Sequence, residues 1–268
     1  MILRWGCRNL FRRICETSMR LTIVGTGKMA EAIIAGAVEY HDIEVLGRDK
    51  VKLEALKRRF STISTQRLDH VSDIEGKNLI FCVKPYALEP VADLFTGEAH
   101  ALLSVLAGTP LESLKKHIKA KSYIRTMPNL AASHQKSMTT LFGDEAFKKE
   151  AIEICESFGK ALWLGSEKEI DIATAVAGSG PAFLALAAEA LADGAVKEGL
   201  KRVDATALVR GLFEGFAPLL AEKHPAIIKD EVMSPGGTTA AGYAALEEGK
   251  VRDGFIKAIE KAYGKTKG

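Results

Sequence analysis

Cysteine is scarce in this sequence, and so are aromatic side chains. The 268 residues contain four cysteines, Cys7, Cys15, Cys82 and Cys155, with no CxxC spacing. That excludes a disulfide scaffold and provides no zinc signature, so no metal site is expected. Cys82 lies inside an apolar run and reads as a buried free thiol, which points to a reducing compartment, the cytoplasm. Two Trp and five Tyr leave little material for a base-stacking surface. No unbroken apolar run approaches the ~18 residues that a bilayer crossing needs. The longest, Pro181 to Val196, is interrupted by Glu189 and Asp193.

Charge of one sign is also missing from most of the chain. The net charge of +3 resides in residues 1–18, where Arg4, Arg8, Arg12 and Arg13 face only Glu16; the remainder balances at 33 basic and 33 acidic residues. A neutral body lacks the clustered Lys and Arg that neutralise phosphates, so neither nucleic acid nor membrane is an expected partner. What is present is the composition of a packed protein, 47% hydrophobic and 26% charged, enough for one large or two ordinary domains. Residues 1–18 read as a leader or non-native start. A transit peptide fits their composition, but Met19-Arg20 leads directly into a strand, which favours Met19 as the natural beginning.

The first half alternates strand and helix. Leu21–Val24, Ile43–Leu46, Leu79–Val83, Ala101–Leu106 and Ser122–Arg125 read as strands, with helices over Lys28–Val38 and Lys50–Arg59. Buried strands separated by helices imply βαβ units and a parallel sheet covered on both faces. The first turn is Gly25-Thr26-Gly27-Lys28-Met29-Ala30, a G-x-G-x-x-A sequence between strand and helix. Gly25 permits the tight turn, Gly27 lets the backbone approach a pyrophosphate, and Ala30 keeps the helix close to the sheet. A dinucleotide site is expected here.

The second strand ends Gly47-Arg48-Asp49-Lys50. Where NAD-binding units carry an acid for the ribose, Arg48 could meet a 2′-phosphate, which favours NADPH over NADH; Asp49 could still serve NAD if the strand ran one residue further. Lys84 ends a central strand at the edge where ligands dock in open α/β sheets. A cofactor role is therefore preferred over that of a plain strand-exit lysine.

After Gly165 the pattern becomes helical, over Ile170–Val196, Asp204–Leu220 and Arg252–Tyr263, with ten alanines in the first of these runs. Small side chains and apolar surface on more than one face suit a subunit interface. Two islands, Gly178-Ser-Gly-Pro-Ala182 and Ser234-Pro-Gly-Gly-Thr-Thr239, each precede a helical run. Helix capping explains much of each, but the second also frees backbone N–H groups beside two hydroxyls, a nest suited to a carboxylate.

With Val24-Gly-Thr-Gly-Lys-Met29, Val83-Lys-Pro85, Ser104-Val-Leu-Ala-Gly108 and Arg125-Thr-Met-Pro-Asn129, these islands resemble the pyrroline-5-carboxylate reductase family from Met19 to about Lys261. The resemblance implies a Rossmann-type dinucleotide-binding domain (19–165) followed by an all-helical dimerisation and substrate domain (166–268). It also implies a homodimer, open to higher assembly, whose helical domains intertwine and place each substrate site at the interface. The activity implied is NADPH-dependent reduction of 1-pyrroline-5-carboxylate to L-proline. Gly25, Thr26, Gly27, Lys28, Met29, Val83, Lys84 and Pro85 would hold the nucleotide, with Ala107 near the nicotinamide. Ser234, Gly237, Thr238 and Thr239 would hold the substrate, Thr239 as the catalytic hydroxyl and Glu167 as a family glutamate near it. Glu231 stands where some members carry asparagine.

Imine reduction needs a positioned hydride and a hydroxyl near the ring nitrogen rather than a strong acid. His117, His134 and His224 lie in polar surroundings and are given no catalytic role. Lys197, placed as the acid of hydroxyacid dehydrogenases would be, has Glu198 and Asp193 beside it and reads as solvated. A hydroxyacid or prephenate-type dehydrogenase, and a non-catalytic NADP-sensing dimer, are the competing readings.

Overall fold

Aliphatic and β-branched runs become strands, and the amphipathic segments between them become helices, in the computed structural model, which describes residues 18–267. Residues 1–17, and with them the expected leader, lie outside the described residues. The first unit opens with β1 (Arg20–Val24), α1 (Lys28–Ala37), β2 (Asp42–Gly47), α2 (Lys50–Arg59) and β3 (Ser64–Arg67). It continues through β4 (Ser72–Asp73), β5 (Asn78–Phe81), α3 (Leu88–Ala92), β6 (Phe95–Thr96), β7 (Ala99–Ser104), α4 (Leu111–His117) and β8 (Ala120–Met127). β9 (Ser137–Gly143), α5 (Lys148–Glu156), β10 (Gly159–Trp163) and α6 (Glu167–Ala173) follow, and a π turn over Thr174–Gly178 ends it.

Eight strands form one sheet in the order β10-β9-β8-β7-β5-β1-β2-β3, and β4 pairs with β6 separately. Six strands, from β3 through β8, are mutually parallel, with the order reversing between β1 and β5. The expected parallel sheet needs one correction, because β9 runs antiparallel to β8. Only a short segment with a 3-10 turn at Leu130–His134 joins them, too little for a parallel crossover.

Alternation along the strands builds two cores. Ile23, Val45, Ile80 and Leu103 face α1 and α5 and pack with Ile33, Ile34 and Ile154. Their neighbours Val24, Leu46, Phe81 and Leu102 point the other way and pack with Leu88, Val91 and Leu114. Successive side chains on a strand must take opposite faces, so both faces need helical cover. Each fully buried Leu or Ile contributes about 2 kcal/mol.

The second unit is helical: α7 (Gly180–Lys197), α8 (Arg202–Glu222), α9 (Pro225–Val232), α10 (Thr238–Glu248) and α11 (Val251–Gly264). The two compact units divide at Gly178, with the chain from Tyr263 grouped with the first; the sequence pattern had changed at Gly165. α8 continues through Pro218. Buried residues are few: Ala192 on α7, Ala205 on α8, Ile228 on α9, and none on α10 or α11. Leu186, Val203, Leu208, Leu212 and Ile256 are among the exposed apolar side chains. By length and composition the helical run Glu167–Lys197 is apolar enough to cross a membrane, yet only 11% of its most apolar window is buried. It carries Glu189 and Asp193 and is interrupted by the π turn.

A cleft at the strand switch and a glycine turn on the helices

The turn after β1 is built around one backbone constraint. Gly25 has φ +125°, and a Cβ there would stand 2.6 Å from the Cys82 carbonyl oxygen. Its N–H donates to the Leu46 carbonyl (2.8 Å), which pins the turn between β1 and β2. Gly27 differs: no heavy atom comes within 4 Å of a Cβ placed on it, so its outer side is open for close approach. It is the N-cap of α1 and offers no side chain, leaving the first amides of the helix without intrahelical acceptors. Ala30, on the inner face of α1, is fully buried.

A cleft of about 750 Å³ opens here, above the C-terminal ends of β1, β2, β5 and β7. Thr26, Lys28 and Met29 line it with Gly25 and Gly27; Val83, Lys84 and Pro85 enter from β5, Arg48 from β2 and Ala107 from beyond β7. All ten residues expected to hold a nucleotide thus share one concavity. It lies at the strand switch, where open α/β sheets bind ligands. The open side of Gly27, the bare amides of α1 and the volume of the cleft fit a dinucleotide with its pyrophosphate on the helix terminus.

Charge sorts the cleft. Lys28 pairs with Glu31 (3.5 Å) and Lys52 with Asp49 (3.7 Å). Among the described residues Arg48 and Lys84 form no ion pair and are exposed, available to an anion. Asp49 does not point its carboxylate freely at a ribose: as N-cap of α2 it accepts from the Lys52 N–H (3.1 Å). Cys82 lines the same cleft, but burial pushes its thiol far above the usual range, so it is an inert packing group.

The Arg125-Thr-Met-Pro-Asn129 motif proves to be structural. Arg125 is 1% exposed, and its guanidinium donates to Asp171 Oδ1 (2.6 Å) and Glu167 Oε1 (3.3 Å), with Nε left without a partner. Glu167 also accepts from the Leu111 N–H (2.8 Å). Glu167 therefore sits in a clamp between β8 and α6, with about a third of its side chain exposed. Thr126 donates to the Ser104 carbonyl on β7, and Asn129 Nδ2 donates to the Ala177 carbonyl in the π turn (2.9 Å). These bonds tie α6 and the turn to the sheet. Sequence spacing alone offered no signal for them.

On the helical unit, Ser234 to Thr239 form a turn closed by the Gly237 N–H on the Ser234 carbonyl (3.0 Å), with Gly236 at φ +70°. The expectation that serines cap these islands does not hold. Ser179 stands at the N-cap of α7 without a side-chain bond, and the N-cap of α10 is Gly237. Thr238 and Thr239 begin α10, so their amides and hydroxyls remain uncommitted to capping. Thr239 is half-buried. Lys197 is exposed, and Glu231 pairs with Lys223 (2.6 Å). His134 and His224 are exposed, and His224 accepts from the Ala226 N–H as the N-cap of α9.

Residues 167–268 match the family model for pyrroline-5-carboxylate reductase dimerisation, and residues 20–108 match that for NADP oxidoreductase, coenzyme F420-dependent. The chain is 33% identical over 256 residues to pyrroline-5-carboxylate reductase of Helicobacter pylori strain J99, covering 92% of this chain and 98% of that one. The solved pyrroline-5-carboxylate reductase of Streptococcus pyogenes superposes with a TM-score of 0.81 at 29% identity, over 93% of this chain and 98% of that one. That of Plasmodium falciparum, with NADP bound, gives 0.78 at 25% identity, over 92% and 98%.

Proposed function

The chain belongs to the pyrroline-5-carboxylate reductase family and is an oxidoreductase that reduces 1-pyrroline-5-carboxylate to proline with NAD(P)H; we propose that it prefers NADPH and acts in the cytoplasm as a homodimer, with its substrate held by the Ser234–Thr239 turn. It assembles as a homo-oligomer. The dimer reading rests on helices that expose Leu186, Leu208 and Leu212 and bury almost nothing in one chain. Apolar area of that kind is stable in water only when a second surface covers it.

The observation that carries the reading of the site is the cleft at the strand switch, where the open face of Gly27 and the bare α1 amides meet Arg48 and Lys84, cations without an ion pair among the described residues. Gly27 and the α1 terminus would bind the pyrophosphate, Arg48 the 2′-phosphate, and Ala107 would lie near the nicotinamide. Reduced nicotinamide, when bound, supplies the hydride. The amides opening α10 bind the substrate carboxylate, as a helix N-terminus does for anions. The Thr239 hydroxyl oxygen accepts a hydrogen bond from the protonated ring nitrogen, orienting the C=N bond and holding the proton that this nitrogen keeps as hydride reaches the carbon. Glu167 and its clamp on Arg125 steady α6; a direct substrate contact by Glu167 is the family's implication. No buried Lys or His acid is required, because a protonated imine is already an electrophile.

Loss of NADPH absorbance on adding 1-pyrroline-5-carboxylate tests the reading. Turnover with this imine, and none with 2- or 3-hydroxy acids and NADP⁺, is expected. Hydroxy-acid turnover without imine turnover would assign the chain to the dehydrogenases of the same plan, and binding without any turnover would make it a sensor.

A further inference from the structure

Tyr86 is out of place by the ordinary rules of burial. It is 83% exposed, on the turn that Pro85 begins after β5, and its ring contacts no other aromatic among the described residues. An aromatic ring bared to water on a proline-fixed turn covers nothing in the free chain, yet this one lines the dinucleotide cleft.

Its place along the cleft can be read from packing. Ala87 and Val91, which follow it, belong to the same apolar cluster as Leu46 at the end of β2 and Leu68 just beyond β3. The turn and α3 thus pack in the cluster that also holds the end of β2, the strand that leads to Arg48. If Arg48 reads the 2′-phosphate, the purine attached to that ribose must lie within a few ångströms of it. Leu46, Leu68, Ala87 and Val91 line the cleft with Tyr86, which is the one aromatic side chain in that lining among the described residues. Val105 and Ala107, which also line the cleft, follow β7, separated from β2 in the sheet by β5 and β1.

We propose that Tyr86 is the stacking platform for the adenine ring, so that this chain grips the adenosine half of its cofactor with an aromatic face as well as with Arg48. The inference rests on the reading of the cleft as an NADP site. The Pro85-fixed backbone presents the ring with little ordering left to do, and stacking between a base and an aromatic side chain contributes substantially to binding. Tyr86 acts on cofactor affinity and has no part in the hydride step.

The test separates the two halves of the cofactor. Wild type, Tyr86→Ala and Tyr86→Phe are titrated calorimetrically with 2′,5′-ADP, which carries adenine and the 2′-phosphate, and with reduced nicotinamide mononucleotide. Tyr86→Ala is expected to weaken 2′,5′-ADP about fivefold or more. Tyr86→Phe should stay within about twofold of wild type, because the ring and not the hydroxyl carries the contact. The mononucleotide should bind all three alike. Because Tyr86 is exposed, equal thermal melts are expected. Equal affinity of wild type and Tyr86→Ala for 2′,5′-ADP would overturn the platform while leaving the NADP reading intact. Failure of wild type to bind 2′,5′-ADP at all would overturn both.

Discussion

Asp49 accepts a hydrogen bond from the backbone N–H of Lys52 at 3.1 Å, which makes it the N-cap of α2. The acid nearest to where a ribose hydroxyl would be held is thus engaged by the helix, and the adjacent Arg48 has no ion-pair partner among the described residues. Arg48→Ala should raise the KM for NADPH roughly tenfold and the KM for NADH little, since only the former carries the phosphate that a guanidinium grips. Asp49→Ala should instead cost about 1 kcal/mol of stability through the lost cap. Steady-state kinetics with both cofactors decides it, and equal KM changes in Arg48→Ala would remove Arg48 from phosphate reading.

The two glycines of the first turn should fail in different ways. Gly25→Ala forces a Cβ to within 2.6 Å of the Cys82 carbonyl at φ +125°, and should cost about 2 kcal/mol or more in a urea melt. Gly27→Ala meets open space at an ordinary φ of −83° and should fold like wild type. Its methyl would stand where the pyrophosphate approaches, so NADPH affinity should fall at least about tenfold. Unchanged affinity in a well-folded Gly27→Ala would put the pyrophosphate elsewhere.

Thr239→Ala should lower kcat roughly tenfold to a hundredfold while leaving NADPH binding nearly intact, because the hydroxyl is asked to act on the imine alone. Thr239→Ser should recover most of the rate. A kcat that does not move in Thr239→Ala would take this residue out of the chemistry.

Acid should destabilise the first unit through His41. The ring is buried, with Nδ1 accepting from the Met19 N–H (3.2 Å). Burial pulls its pKa down from 6.5 to about 4, against the opposing charge of Asp42. Between these values the unfolded chain binds a proton that the folded one refuses, so stability holds above pH 6.5 and falls as pH drops toward 4, by at most about 3 kcal/mol. Glu44 is held lower than an ordinary glutamate. Burial raises its pKa, but the hydrogen bonds from Lys77 and Thr22 and the charges of Lys77 and Arg20 outweigh this and hold it below 4.5. Urea midpoints at pH 7 and pH 4.5 measure the fall, and His41→Asn should reduce it; an unchanged difference would assign the acid sensitivity to other groups.

Much of the nucleotide-binding half was legible because its signals are local. The apolar runs of β1, β2, β5 and β7 and the Gly25–Ala30 turn carry their structure within a few residues. The strands that escaped notice are those whose burial is mixed or supplied from afar. β3, Ser64–Arg67, is a polar edge strand, and β10 alternates only between half-buried and exposed positions. β9 places Ser137 and Thr139 in the interior, where their hydroxyls satisfy each other at 3.0 Å. A run so rich in hydroxyls does not announce a buried strand, since its polar groups are affordable only once partners exist.

Sequence by itself determined the alternation of strand and helix at the start of the first half, the glycines that shape the first turn and the candidates for its anion site, because these depend on backbone sterics and short-range periodicity. Tertiary structure decided the rest: that ten dispersed residues line one cleft, that Asp49 caps a helix while Arg48 has no ion-pair partner among the described residues, that Arg125 clamps Glu167 and Asp171, and that Tyr86 stands bare at the cleft. Each of these depends on which distant segments pack together, and the energy of a hydrogen bond or an apolar contact depends on the surroundings that packing creates.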